Sequence, residues 1–137
     1  MSCLVLDAAA LAALSERRGK RQAEVRGALA AAFTKRRDVV VPALVLAELY
    51  RGARRSAQLD ALLARETGFV LRSTDRLFAR LVGGVLAAAR ASSGLMVEAH
   101  VVASAVERGG GVILTTDRDD LARLAAPYRG VVVVSIG

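Results

Sequence analysis

The stretch CLVLDAAALAAL, residues 3–14, reads as a strand that hands over to a helix. Cys3, Leu4, Val5 and Leu6 form an unbroken apolar run, Asp7 closes it, and an Ala/Leu segment follows from Ala8. A run without polar alternation suits a strand buried on both faces, as in a parallel sheet covered by helices. The same grammar recurs along the chain. Apolar runs at 39–41, 69–71, 112–114 and 131–134 predict four further strands. Between them, apolar residues return at helical spacing: Val25, Leu29, Ala32 and Phe33 within 23–33, then Leu44, Leu46, Leu49 and Tyr50 after Pro42. Leu77, Phe78, Leu81, Val82 and Val85 predict a helix within 74–90, and Met96 to Val106 predicts another, stopped by Gly109-Gly110-Gly111. Strand–helix alternation over this length predicts a three-layer α/β/α fold with a central, mainly parallel sheet. One domain spans 1–137, without internal repeat, low-complexity segment or linker.

Composition narrows the class. Hydrophobic residues make up 54% of the 137, but aromatics only 4%, with no Trp, so the core is built from Val, Leu and Ala. That hydrophobic share excludes intrinsic disorder. Cys3 is the lone cysteine, which excludes an intrachain disulfide. No apolar run approaches the roughly 20 residues of a membrane span. The N-terminus lacks the basic-then-apolar pattern of a signal peptide, so a cytoplasmic location is expected. The formal charge is +7, from 20 basic and 13 acidic residues, with Lys20 and Lys35 the only lysines. Arginine forks pair with phosphate, so the surplus suits a nucleic-acid ligand; a GC-rich genome would enrich Arg and Ala equally well. The runs Arg17-Arg18, Lys20-Arg21, Lys35-Arg36-Arg37 and Arg54-Arg55 read as solvated helix faces or ends.

The informative residues are acids. Asp7 follows the first strand, Glu48 sits in the helix after the second, and Asp117 follows the fourth, within ILTTDRDDL. Glu98 opens the helix before that strand, in LMVEAHVVASA, and Asp120 lies just beyond Asp117. Open parallel sheets bind ligands beyond the carboxyl ends of their strands, so these positions can converge on one crevice. Clustered carboxylates repel one another unless a cation lies between them. A hard divalent ion, Mg²⁺ or Mn²⁺, is the natural compensator and can activate water against a phosphodiester. Each acid also has a plain structural reading. Asp7 and Asp117 can cap helices, Asp120 can favour a helix dipole, Glu48 can pair with Arg51, and Glu98 can be an ordinary helix-start acid. His100 stands about 200° around the helix from Glu98 and is read as a packing or partner-facing residue. Cys3 is read as a small buried apolar residue. The glycine triplet ends a helix instead of opening one, so it is no phosphate-cradling loop.

Four segments carry a resemblance: CLVLDAAALAAL, VVVPALVLAELYRGA, LMVEAHVVASAVERG and VILTTDRDDLARLA. Their order, spacing and total length resemble the PIN domain, in the compact form of VapC-type toxins from bacterial toxin–antitoxin pairs. The resemblance covers essentially the whole chain. It implies an Mg²⁺-dependent endoribonuclease, with Mn²⁺ as a possible substitute, that dimerises and is inhibited by a cognate antitoxin. Carried over residue by residue, it implies that Asp7, Glu48, Glu98 and Asp117 are catalytic and hold the metal. Asp120 is then a further metal-binding acid, Asp119 is peripheral, and Thr115 and Thr116 match the hydroxyls that commonly precede the fourth acid. Two positions depart from the pattern. Glu98 stands where the family has Asp, and Ala8, Ala9 and Ala10 stand where a Ser or Thr often follows the first acid.

The leading expectation is therefore a metal-dependent ribonuclease toxin with RNA as substrate and no membrane partner. The alternative is a PIN-fold module with a weakened metal site, acting through RNA or protein binding. A phosphorylation-dependent receiver domain fits poorly. The third strand is followed by Arg72 where an acceptor Asp is needed, and no Lys follows Lys35.

Overall fold

The computed structural model describes residues 3–16 and 18–137; Arg17, from the first basic run, lies outside them. Five strands, β1 (Cys3–Leu6), β2 (Asp38–Pro42), β3 (Phe69–Arg72), β4 (Gly111–Thr115) and β5 (Val131–Ser135), form one sheet in the order β3-β2-β1-β4-β5. Every neighbouring pair is parallel. The helices are α1 (Ala8–Leu14), α2 (Lys20–Thr34), α3 (Ala43–Leu49), α4 (Ala53–Arg65), α5 (Arg76–Ala88), α6 (Met96–Val106) and α7 (Asp119–Ala125). The layers are helix, sheet, helix: α6 packs on β1, β2 and β4 between α5 and α7, while α1 and α2 pack together against the sheet.

Strand position explains the burial pattern. β1 is central, and all four of its residues are buried, as are Val39, Val40 and Val41 of β2. α6 is apolar almost all round because it is enclosed: Ala99 to Ala105 are all buried. The run VVVV in β5 departs from the expected burial on both faces. β5 is an edge strand, so Val132 and Val134 remain partly exposed, as does Leu71 on the opposite edge. Two residues read as apolar helix faces also turn outward. Leu77 is 80% exposed on α5, and Phe33 lies half outside, with its ring over Gly68.

α4 was not expected from the sequence. Its apolar stripe is narrow, with only Leu59 and Leu62 buried among exposed polar residues. α5 begins later than the periodicity alone suggests, at Arg76, because the Asp75 side chain accepts from the Phe78 amide and caps it. The turn from α6 into β4 needs glycine at Gly110. Its φ is +127°, and a Cβ there would lie 2.6 Å from the Gly130 carbonyl oxygen. Gly110→Ala is expected to destabilise the fold by about 1–3 kcal/mol, read as a lower urea midpoint with unchanged slope.

Candidate functional site

Strand order places the site. From β1 the chain builds one half of the sheet through β2 and β3, and β4 and β5 build the other, so the order reverses between β1 and β4. Two strand ends part there and open a crevice. Leu6 pairs with Leu114 across this junction, which sets Asp7 beside Thr115. The Asp7 amide still reaches the Leu114 carbonyl at 3.4 Å.

Asp7 serves two purposes. It is the N-cap of α1, its Oδ1 accepting from the Ala10 amide at 2.8 Å. Its carboxylate also lines a pocket of about 190 Å³ with Glu48, Glu98, Asp117 and Asp120, against Thr115 and Thr116. All five acids expected from the sequence thus share one pocket. Burial pushes the Asp7 carboxyl above its ordinary range, hydrogen bonding from Thr115 and the Ala10 and Ala9 amides offsets part of this, and Glu48 adds repulsion. Glu98 is raised as well, first by burial, then by repulsion from Glu48, Asp120 and Asp7.

The loop after β4 is shaped by Thr115, which is 1% exposed. Its hydroxyl stands 3.0 Å from the Asp117 carbonyl and accepts from the Asp117 amide at 3.1 Å. Asp117 itself accepts from the Asp119 amide at 3.3 Å, while the residue capping α7 is Arg118, so Asp117 braces the approach to that helix instead of capping it. Glu48 is half-buried near the end of α3. That helix stops at Leu49, and among the described residues no Glu48–Arg51 ion pair forms.

His100 faces away from the acids. Its Nδ1 donates to the Met96 carbonyl at 2.8 Å, its Nε2 meets the Thr74 hydroxyl at 3.0 Å, and its ring packs edge-on against Phe78. The packing reading of His100 holds, and Cys3 is buried as expected.

The donor set fits a hard divalent cation in kind. Five carboxylates line one pocket, and Glu98 Oε2 is buried without a hydrogen-bond partner, a state that an ion would relieve. The carboxylates are not preassembled: among the described residues no group of three or more acids, His or Cys already forms a metal cage.

The PIN domain family model matches residues 4–127. The chain belongs to the PIN domain family. This PIN domain also shares its fold with a chain in each of two solved VapBC structures. One is VapBC2 from Rickettsia felis bound to a DNA fragment from its promoter, with a TM-score of 0.64 at 12% identity, covering 97% of this chain and 98% of that one. Another is DNA-bound VapBC from Salmonella typhimurium, with a TM-score of 0.63 at 14% identity, covering 98% of each. No curated protein matches the chain significantly by sequence. Among the described residues, no helix of this PIN domain is long and apolar enough to cross a membrane.

Sequence reasoning missed the walls of the pocket. Ala8 and Ala9 line it from α1, and Val97 and Val101 from α6, and nothing in their residue type marks them. Ala8 and Ala9 offer Asp7 no hydroxyl, and the side-chain hydrogen bond that acts on its carboxyl comes from Thr115.

Proposed function

We propose that this PIN domain is a VapC-type toxin, a divalent-metal-dependent endoribonuclease held in check by a cognate antitoxin. The observation that carries the reading is the meeting of Asp7, Glu48, Glu98, Asp117 and Asp120 on one pocket, with Glu98 Oε2 buried and unpaired. Asp7, Glu48, Glu98 and Asp117 would hold Mg²⁺ or Mn²⁺, with Asp120 at the rim. Bound there, the ion supplies a Lewis acid that offsets charge on a phosphodiester and lowers the pKa of water. The chain's own residues do the rest. The α1 cap holds the Asp7 carboxylate in the pocket, and Thr115 holds the loop that carries Asp117. Burial keeps the Asp7 and Glu98 carboxyls readier to accept a proton than ordinary carboxylates. Similarity to VapBC complexes supports an antitoxin partner, and the resemblance supports a homodimer in the cytoplasm.

A second reading, a binding module with a weakened metal site, is favoured by one observation: the acids do not stand as a ready-made cage. Glu98 in place of Asp adds a methylene, and Mg²⁺ tolerates little departure from octahedral distances. One experiment separates the two. Chelator-treated protein is incubated with single-stranded RNA while Mg²⁺ or Mn²⁺ is added back, and Glu98→Gln is run beside it. Cleavage restored by the ion, with Glu98→Gln needing about tenfold or more Mn²⁺ for half-maximal rate, is the expected result. Protein that binds RNA yet cuts none at any Mg²⁺ or Mn²⁺ concentration would make it the binding module.

A further inference from the structure

A second, larger cleft of about 450 Å³ opens directly onto the acidic pocket: Ala8, Ala9 and Glu48 line both. One wall is α1. The other is the face of α4 that carries Arg55, Gln58 and Leu59, with Arg51 just before the helix. Arg55, Gln58 and Leu59 follow one another at helical spacing on α4, so they form a single stripe toward the cleft, and Arg51 lines the same cleft from the turn before the helix. Arg51 and Arg55 are both exposed, and among the described residues neither enters an ion pair. Arg72, by contrast, is held by Glu107 and Asp75, and Arg123 by the Ala89 and Arg90 carbonyls. Two uncommitted guanidinium groups beside an acidic pocket call for an anion. Glu16, just past the carboxyl end of α1, also lines this cleft, while Glu48 belongs to the part shared with the acidic pocket.

We infer that this cleft seats the stretch of RNA backbone adjoining the scissile phosphate, with Arg51 and Arg55 as positioning residues that pair with its phosphates. The inference rests on the nuclease reading and adds the direction in which the substrate lies: along the cleft between α1 and α4, toward the α4 arginines. Arginine suits the task because its planar fork grips a phosphate bidentately, while Glu48 marks where the backbone passes into the acidic pocket.

The test is the salt dependence of binding to a short, fluorescein-labelled RNA whose 2′ hydroxyls are methylated to prevent cleavage. Arg51→Gln/Arg55→Gln is compared with wild type and with Lys35→Gln/Arg36→Gln, which removes the same charge at the amino-terminal edge of the sheet. Losing two phosphate contacts should flatten the slope of log K against log[salt] by about 1.4, near 0.7 for each contact on a single strand. With cleavable RNA, KM should rise about tenfold while kcat stays within about twofold, the pattern of lost uniform binding. A slope unchanged from wild type, or an equal drop in the Lys35/Arg36 control, would overturn the inference. So would unchanged RNA binding combined with weakened antitoxin capture, which would assign the cleft to a protein partner. A flattened slope in a protein that cleaves no RNA would sink the nuclease reading and leave the phosphate subsite standing.

Discussion

Replacing Asp7 with asparagine is expected to lower RNA cleavage by about 10²- to 10³-fold while leaving the fold intact, the scale seen when one preorganised electrostatic group is removed. Asparagine caps helices as well as aspartate does and matches its size, so the Ala10 amide keeps its partner and α1 keeps its start. Only the charge goes. The same variant has a second readout. The folded protein raises the Asp7 carboxyl above its ordinary 3.8, so the native state holds that proton more tightly than the unfolded chain. Its contribution to stability is therefore complete below the ordinary value and is lost as pH climbs through the raised one. Glu98 behaves likewise, starting from 4.5. Chelator-treated wild type should accordingly lose stability across the range above these values, Asp7→Asn should lose less, and Mn²⁺ should restore wild type at neutral pH. Single-turnover cleavage and melting temperature against pH measure both effects. Full activity in Asp7→Asn would dismiss the acidic pocket as the reacting centre.

Phe78→Ala is expected to cost about 3–5 kcal/mol of stability, the range for emptying a buried aromatic site. Phe78 is 1% exposed on α5, and it ties three elements together. Its ring meets His100 of α6 edge-on, with centroids 5.6 Å apart, and the Arg72 guanidinium at the end of β3 stands 4.3 Å from its centroid. Arg72 is itself held by Glu107 and Asp75, so the ring anchors a small polar network as well as apolar packing. Against a total stability of about 5–15 kcal/mol, that loss leaves little margin. Phe78→Leu keeps much of the volume and should cost less than half as much. Urea denaturation of the three proteins decides it: a loss below about 1 kcal/mol for Phe78→Ala would mean that α5 and α6 hold together without this ring. Glu98 is carried on α6, two residues from His100, so a loosened α6 should also weaken metal binding.

Much of the candidate site was legible because its residues are local punctuation. Asp7 and Asp117 end or follow strands that announce themselves as apolar runs, and Glu48 and Glu98 stand out as charges on apolar helices. Where the sequence reading went astray, the missing quantity was a long-range one. Nothing inside VVVV distinguishes a central strand from an edge, and the position of β5 beyond β4 is what leaves Val132 and Val134 partly in solvent. Leu77 and Phe78 are neighbours of equal apolarity, yet only the second faces α6. The pairing of Glu48 with Arg51 failed because α3 ends at Leu49, before a shared helical face can form.

The sequence by itself determined that the chain is an α/β domain with acids at its strand ends, because strand burial and helix capping are written in the nearest few residues. Only the tertiary structure decided that five of those acids line one pocket and that Arg51 and Arg55 stand in the cleft leading to it. The reversal of strand order between β1 and β4 opens the crevice, and strand order is set by packing between segments distant in the chain.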